Sequence, residues 1–371
     1  MRRLRTSTWA LAAYVGASVS ACTNFADPTT VVDLRLLAVE VEPSEIILDA
    51  DLSDPSNPTV ANNPPLVVTP LIVDPAGGGR PVTYTISACP NNPFAPAAPG
   101  GGQGGGAIPS GGARTTVGSA LCDENSPKTW LLTPDPVTAG DAVTVQPTVD
   151  QLVVAFMTDV FPDQYGNLHG GFDLGMPLTL DIKVDAGTID TGIEEIRGVK
   201  RVLYWGQRID AAQTPNQTPT IDTVSFYAAR DDKTFEPIGD KQTIPPDAPF
   251  DVGGRLGSMW IEPSPATAEP FETTVIDPDT HEAVPFSVAR ETLRYRFFAT
   301  AGSFAPPFTS SEPPPGFVAT GPIHLESEYR PPNASQIATD AYGHAIVTIW
   351  IVVRDDRGGE SWVTRQLLIT P

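Results

Sequence analysis

Apolar and polar residues alternate in short stretches along most of this chain, the period-two pattern of strands with one face in a core. Residues 31–41, 66–73, 81–88, 143–146, 152–157, 178–184 and 198–205 make one such series. A second runs through 220–228, 255–261, 273–276, 293–299, 317–325, 345–353 and 361–369. Val, Ile, Thr, Phe and Tyr recur in these stretches, and Pro, Gly, Asn and Asp clusters separate them, so each is predicted as a strand bounded by turns. The 40 prolines and 32 glycines work against long helices, because proline removes a backbone donor and glycine loses more entropy on ordering. An all-β fold follows, and about seven strands per series suits two tandem β-sandwiches.

The two series carry local matches. Val31, Val32 and Asp33 parallel Thr220, Ile221 and Asp222, Tyr84 parallels Tyr295, and the run from Asp163 to Asn167 around Tyr165 parallels the run from Asp340 to His344 around Tyr342. Tyr84 and Tyr165 stand 81 positions apart and Tyr295 and Tyr342 stand 47 apart, a mismatch of 34. A Gly- and Pro-rich excursion between Cys89 and Cys122 has nearly that length, so residues 90–121 are read as an insertion closed at its base by a disulfide. Closing such a loop stabilises a fold by about 3 to 4 kcal/mol on chain-entropy grounds. The run Gly100 to Gly106 lacks the following Lys and Ser or Thr of a phosphate-binding loop. The organisation expected is a sandwich over 31–207, a linker over 208–219 and a sandwich over 220–371.

Residues 293–299, with Arg294, Tyr295, Arg296, Phe297 and Phe298, and residues 347–360, with the turn Asp355, Asp356, Arg357, Gly358, Gly359, resemble the third strand and final hairpin of bacterial immunoglobulin-like and PKD-type domains. The resemblance covers roughly the last 80 residues well and the first series loosely. It implies a spacer or binding module in the cell envelope, without a shared active site.

Before the first strand, Arg2, Arg3 and Arg5 precede an apolar run over residues 8–19, and Val19, Ser20, Ala21 and Cys22 resemble the lipobox of bacterial lipoproteins. Residues 1–21 are then a signal peptide, Cys22 the acylated residue and 22–30 a tether. Val19 and Ala21 would also suit an ordinary signal peptidase. The cysteine count favours the lipoprotein: of three cysteines, acylation of Cys22 leaves Cys89 and Cys122 as a pair, whereas plain secretion leaves an odd thiol. A retained membrane helix is disfavoured, because the apolar run falls short of the roughly 20 residues needed to cross a bilayer. Thr23 stands where lipoproteins kept at the inner membrane typically carry Asp, which implies the outer membrane, with the acyl chains on Cys22 as the membrane contact and envelope proteins as partners.

Loss of residues 1–21 removes three arginines and no acidic residue, taking the formal charge from -21 to -24. Such a surface argues against nucleic acid. No cofactor, metal or catalytic set is expected. His169, His281, His324 and His344 lack metal-ligand spacing, and Pro285 replaces the second histidine of a zinc-protease motif after His281 and Glu282. Ser258 and Ser303 follow glycines outside any nucleophile elbow. Three acidic groups, Asp277 with Asp279, Asp355 with Asp356 and Glu360, and Asp159 with Asp163 and Asn167, could attract calcium but suit strand-ending turns better. Trp130, Trp205, Trp260, Trp350 and Trp362 remain after signal removal. Sugar stacking through Trp130 or Trp260 makes carbohydrate or peptidoglycan binding the alternative to a non-enzymatic spacer or protein-binding lipoprotein, and a hydrolase comes third.

Overall fold

A computed structural model describes residues 27–51, 59–61, 63–90, 121–158, 160–162, 168–170, 175–187, 195–205, 214–231, 234, 236–252, 258–277, 283–312, 324–333 and 335–370. These residues are almost wholly β, with one helix among them.

The first half contains β1 (Arg35–Glu42), β2 (Glu45–Ile47), β3 (Leu66–Val73), β4 (Thr83–Pro90), β5 (Val143–Val145), helix α1 (Val149–Thr158), β6 (Met176–Asp185) and β7 (Glu195–Trp205). One sheet has the order β1-β3-β5, and the facing sheet runs β2-β7-β6-β4 with short strands added at β4. Their inner faces meet in a core that includes Val39, Val41, Leu66, Val68, Ile86, Leu180, Ile182 and Tyr204. The alternation of buried and exposed positions in β3 and β4 is the pattern read from sequence.

The second half contains β8 (Val224–Tyr227), β9 (Met259–Pro263), β10 (Pro270–Ile276), β11 (Ala283–Arg290), β12 (Arg294–Ala299), β13 (Ser303–Ala305), β14 (Phe308–Ser310), β15 (Ser327–Arg330), β16 (Ala345–Arg354) and β17 (Glu360–Ile369). One sheet passes through β8-β9-β15-β13 and the other through β17-β16-β12-β14, while β10 and β11 pair as a separate hairpin. A second core includes Phe226, Ile261, Tyr295, Phe297, Tyr329, Ile349 and Ile351.

The two halves repeat one wiring. In each, a short strand pairs in parallel with the last strand: β2 with β7, and Phe250–Asp251 with β17. The last strand then pairs antiparallel with its predecessor, which pairs with the strand bearing the matched tyrosine, Tyr84 or Tyr295. Both tyrosines are buried. Tyr84 donates to the Asp141 carbonyl at 2.7 Å, and the Tyr295 hydroxyl accepts the Ala266 amide at 2.8 Å. Each phenol thereby ties its core to a loop.

Two expectations change, and a third falls mostly outside the described residues. Residues 152–157 are helical, not a strand. Thr148 and Gln151 exchange side-chain and backbone hydrogen bonds at 2.8 and 3.2 Å, a capping box that starts the helix. Leu152, Ala155 and Phe156, at helical spacing, face the core, whereas Val154 and Met157 are exposed. The first strand begins at Arg35 rather than residue 31, because the preceding residues cross to the second half. The strand expected over 317–325 lies mostly outside the described residues, and the nearest described strand is β15.

Candidate functional site

The last hairpin, between β16 and β17, builds the most concentrated group of buried charges. Asp355 closes its turn by accepting the amides of Arg357 at 2.9 Å and Gly359 at 2.7 Å. Gly358 takes φ 108°, a left-handed value that favours glycine. At Gly359 a Cβ would lie 2.2 Å from the Asp355 carboxylate and 2.8 Å from Pro219 Cδ, so the close approach of the linker requires a residue without a side chain.

That turn aims Arg357 at the first sandwich. Its guanidinium pairs with Glu45 of β2, lies 3.3 Å from Glu291 and donates to the Thr214 carbonyl at 3.1 Å. The Phe271 ring lies 5.3 Å from its central carbon. Glu45, whose side chain is 2% exposed, also accepts Trp205 Nε1 and the Asn216 amide, each at 2.7 Å. Asn216 donates on to Asp355 at 3.0 Å, so the linker joins the two acidic groups. Burial raises the Glu291 pKa to about 7, and burial also raises that of Asp355.

Beside this cluster, Lys200 of β7 meets Glu360 of β17 at 3.0 Å, with both side chains buried. Desolvation lowers the lysine pKa, opposed by the glutamate. Arg354 also pairs with Glu360 and donates to the Leu37 carbonyl of β1 at 3.2 Å. Farther along, Val31, Leu37 and Trp350 form a small apolar cluster with Leu71, Val73 and Phe298 packed on it.

The contact continues into the residues before β1. Val31 N–H donates to the Ala299 carbonyl at 2.7 Å, Ala299 N–H donates to the Thr29 carbonyl at 2.9 Å, and Phe304 N–H donates to Thr29 Oγ1 at 3.0 Å. Residues 29–45 therefore run along the second sandwich from the Ala299 end of β12 to the 355–359 hairpin at the other. Apolar packing and backbone pairing hold one part of this seam, and charge pairing holds the rest.

The residues singled out from sequence have several settings. Cys89 and Cys122 are bonded, with S–S 2.05 Å. Cys122 N–H donates to Asp181 at 2.9 Å, and Asp181 pairs with Arg197 at 2.6 Å. Cys22, the signal and tether up to residue 26, and residues 91–120 of the insertion lie outside the described residues. So do Asp159, Asp163, Asn167, Asp279 and His281. Asp355 and Glu360 belong to the seam, where amides and cations take their carboxylates. His324 Nδ1 lies 3.3 Å from Glu326, and His344 N–H donates to Asp340 at 2.8 Å.

Trp130 pairs across the sheet with Ala88 and packs against the first core. The Arg230 guanidinium sits 3.7 Å from the Trp260 ring centre, and Tyr227 stacks beside that ring. Trp350 is buried in the seam rather than in the core of its own sandwich.

The residues that sequence reasoning passed over are Glu45, Lys200, Glu291 and Arg357 as partners. One signal was present: Lys200 shares strand parity with the fully buried Val202 and Tyr204, an inward place where a lysine needs a counter-charge. No protein-family model matches the chain, and no curated protein does.

Proposed function

We propose that the chain is a non-enzymatic lipoprotein of the outer membrane, acylated at Cys22, whose two immunoglobulin-like sandwiches act as one stiff spacer or protein-binding body in the envelope. The observation that carries this reading is the seam. Glu45 and Arg357 interlock with the linker, and Lys200 meets Glu360, so buried charges from both sandwiches are paired across the joint. Small polar contacts alone would let the sandwiches move, but here buried ion pairs, backbone hydrogen bonds and the cluster of Val31, Leu37 and Trp350 act together against relative motion. Burying these ions is costly unless each is paired, which favours a single relative placement of the sandwiches.

Acylation is tested by the intact mass of protein taken from membranes, where loss of residues 1–21 and added acyl mass on Cys22 are expected. An unmodified Cys22 would remove the anchor from the proposal. Crosslinking in the intact envelope tests the partner role, and discrete adducts with envelope proteins are the expected result. Saturable turnover of any substrate by the purified protein would overturn the non-enzymatic reading.

A further inference from the structure

The seam fixes which part of the protein meets the membrane. Thr29 and Val31 are hydrogen-bonded to Ala299 and Phe304. Five peptide steps separate Cys22 from Asp27, and a fully extended chain of that length reaches about 18 Å. An acyl group on Cys22 would therefore hold this end of the second sandwich within that distance of the bilayer.

The same end presents apolar side chains to solvent. Thr300 N–H donates to the Thr348 carbonyl, and Ala299 pairs with Ile349 of β16. Ile346 lies three residues before Ile349, about 10 Å farther out along the strand. It is 53% exposed, and Tyr342, in the turn that leads into β16, is 85% exposed. That turn is firmly built: Asp340 Oδ1 accepts the amides of Tyr342 and His344, each at 2.8 Å, and the Asp340 amide donates to the His344 carbonyl at 2.7 Å.

We propose that this end of the second sandwich rests on the lipid surface, with Tyr342 and Ile346 as the contacting side chains. The inference depends on the acylation of Cys22 proposed above. Tyrosine suits the headgroup region because its ring is apolar and its hydroxyl is wet. The acidic character of the chain, with Asp340 in the turn itself, sets neutral rather than anionic headgroups as the partner. Lipid attachment and side-chain contact together would orient the body, leaving the 355–359 hairpin end directed away from the bilayer.

The test uses full-chain protein purified from membranes, with its Cys22 acylation checked by mass. Tyr342→Cys and, separately, Ile346→Cys are labelled with a thiol-reactive fluorophore and placed in vesicles of brominated phosphatidylcholine. Asp222→Cys, exposed at the opposite end of the sandwich, is the reference. Both exposed positions tolerate a label without disturbing a core. Several-fold greater quenching at 342 and 346 than at 222 is expected. Equal quenching in acylated protein overturns the membrane contact and leaves the anchor standing, whereas unmodified Cys22 overturns both.

Discussion

Arg357 and Glu45, 312 residues apart in sequence, form a buried ion pair between the last hairpin of the second sandwich and β2 of the first. The arginine also faces Glu291, so one cation is shared by two buried carboxylates from different sandwiches. Its removal leaves both without this cation, holding only neutral hydrogen-bond donors.

Arg357→Met should destabilise the protein by about 3 to 5 kcal/mol, the cost typical of unpairing a buried charge. Glu45→Gln in the same background should cost less than it does alone, because the charge it removes no longer has its partner. Urea unfolding of the two single variants and the double variant measures the coupling. Strict additivity would show that the pair contributes nothing.

Glu291 sets a pH dependence of definite sign. Its folded pKa of about 7 lies above the ordinary glutamate value of 4.5 because the side chain is buried. The folded state therefore holds the proton more tightly, and this contribution to stability is full below about pH 4.5 and lost as the pH rises through 7. Between pH 5 and 8 the parent protein should lose more stability than Glu291→Gln, which keeps a neutral side chain throughout. Denaturation midpoints at both pH values provide the comparison, and identical slopes would contradict it.

Gly359→Ala places a methyl group against Asp355 and Pro219. A loss of about 1 to 3 kcal/mol is expected, as for other overpacked sites. Gly343→Ala meets no atom within 4 Å but must adopt φ 79°, so strain alone should cost about 1 to 2 kcal/mol. Only the first substitution should loosen the linker, which proteolysis near Pro219 would detect.

Replacing Cys89 and Cys122 together with serine should lower stability by about 2 to 4 kcal/mol, because the bond closes a separation of 33 residues. The segment after Cys122 should lose protection as well, since the Cys122 amide is tied to Asp181. Hydrogen exchange over residues 122–132 tests this local effect apart from the global one.

Thr148→Ala removes half of the capping box at the start of α1 and should cost about 1 kcal/mol. This cap also shows where the sequence was legible and where it was misread. Residues 66–73 and 345–353 were readable as strands because alternation and β-branched side chains agreed there. In residues 152–157 the apolar positions fit two periods at once, and the cap at Thr148 and Gln151 decides for the helix. The cysteine pair followed from a count and from a length mismatch between the halves. The charged seam did not, because Glu45, Glu291 and Arg357 look like ordinary surface residues until distant strands are brought together. Only Lys200, in phase with Val202 and Tyr204, carried a local sign of burial.

The pairing of Thr30 with Gly302 spans 272 residues, so the beginning of the chain waits for partners made near its end. Every strand of the first core precedes residue 206, yet Glu45 and Lys200 find their opposite charges only in the last hairpin. Contacts this distant close late and slowly. A chain that ended before Arg357 would therefore leave Glu45 and Lys200 at the seam without the opposite charges that pair them.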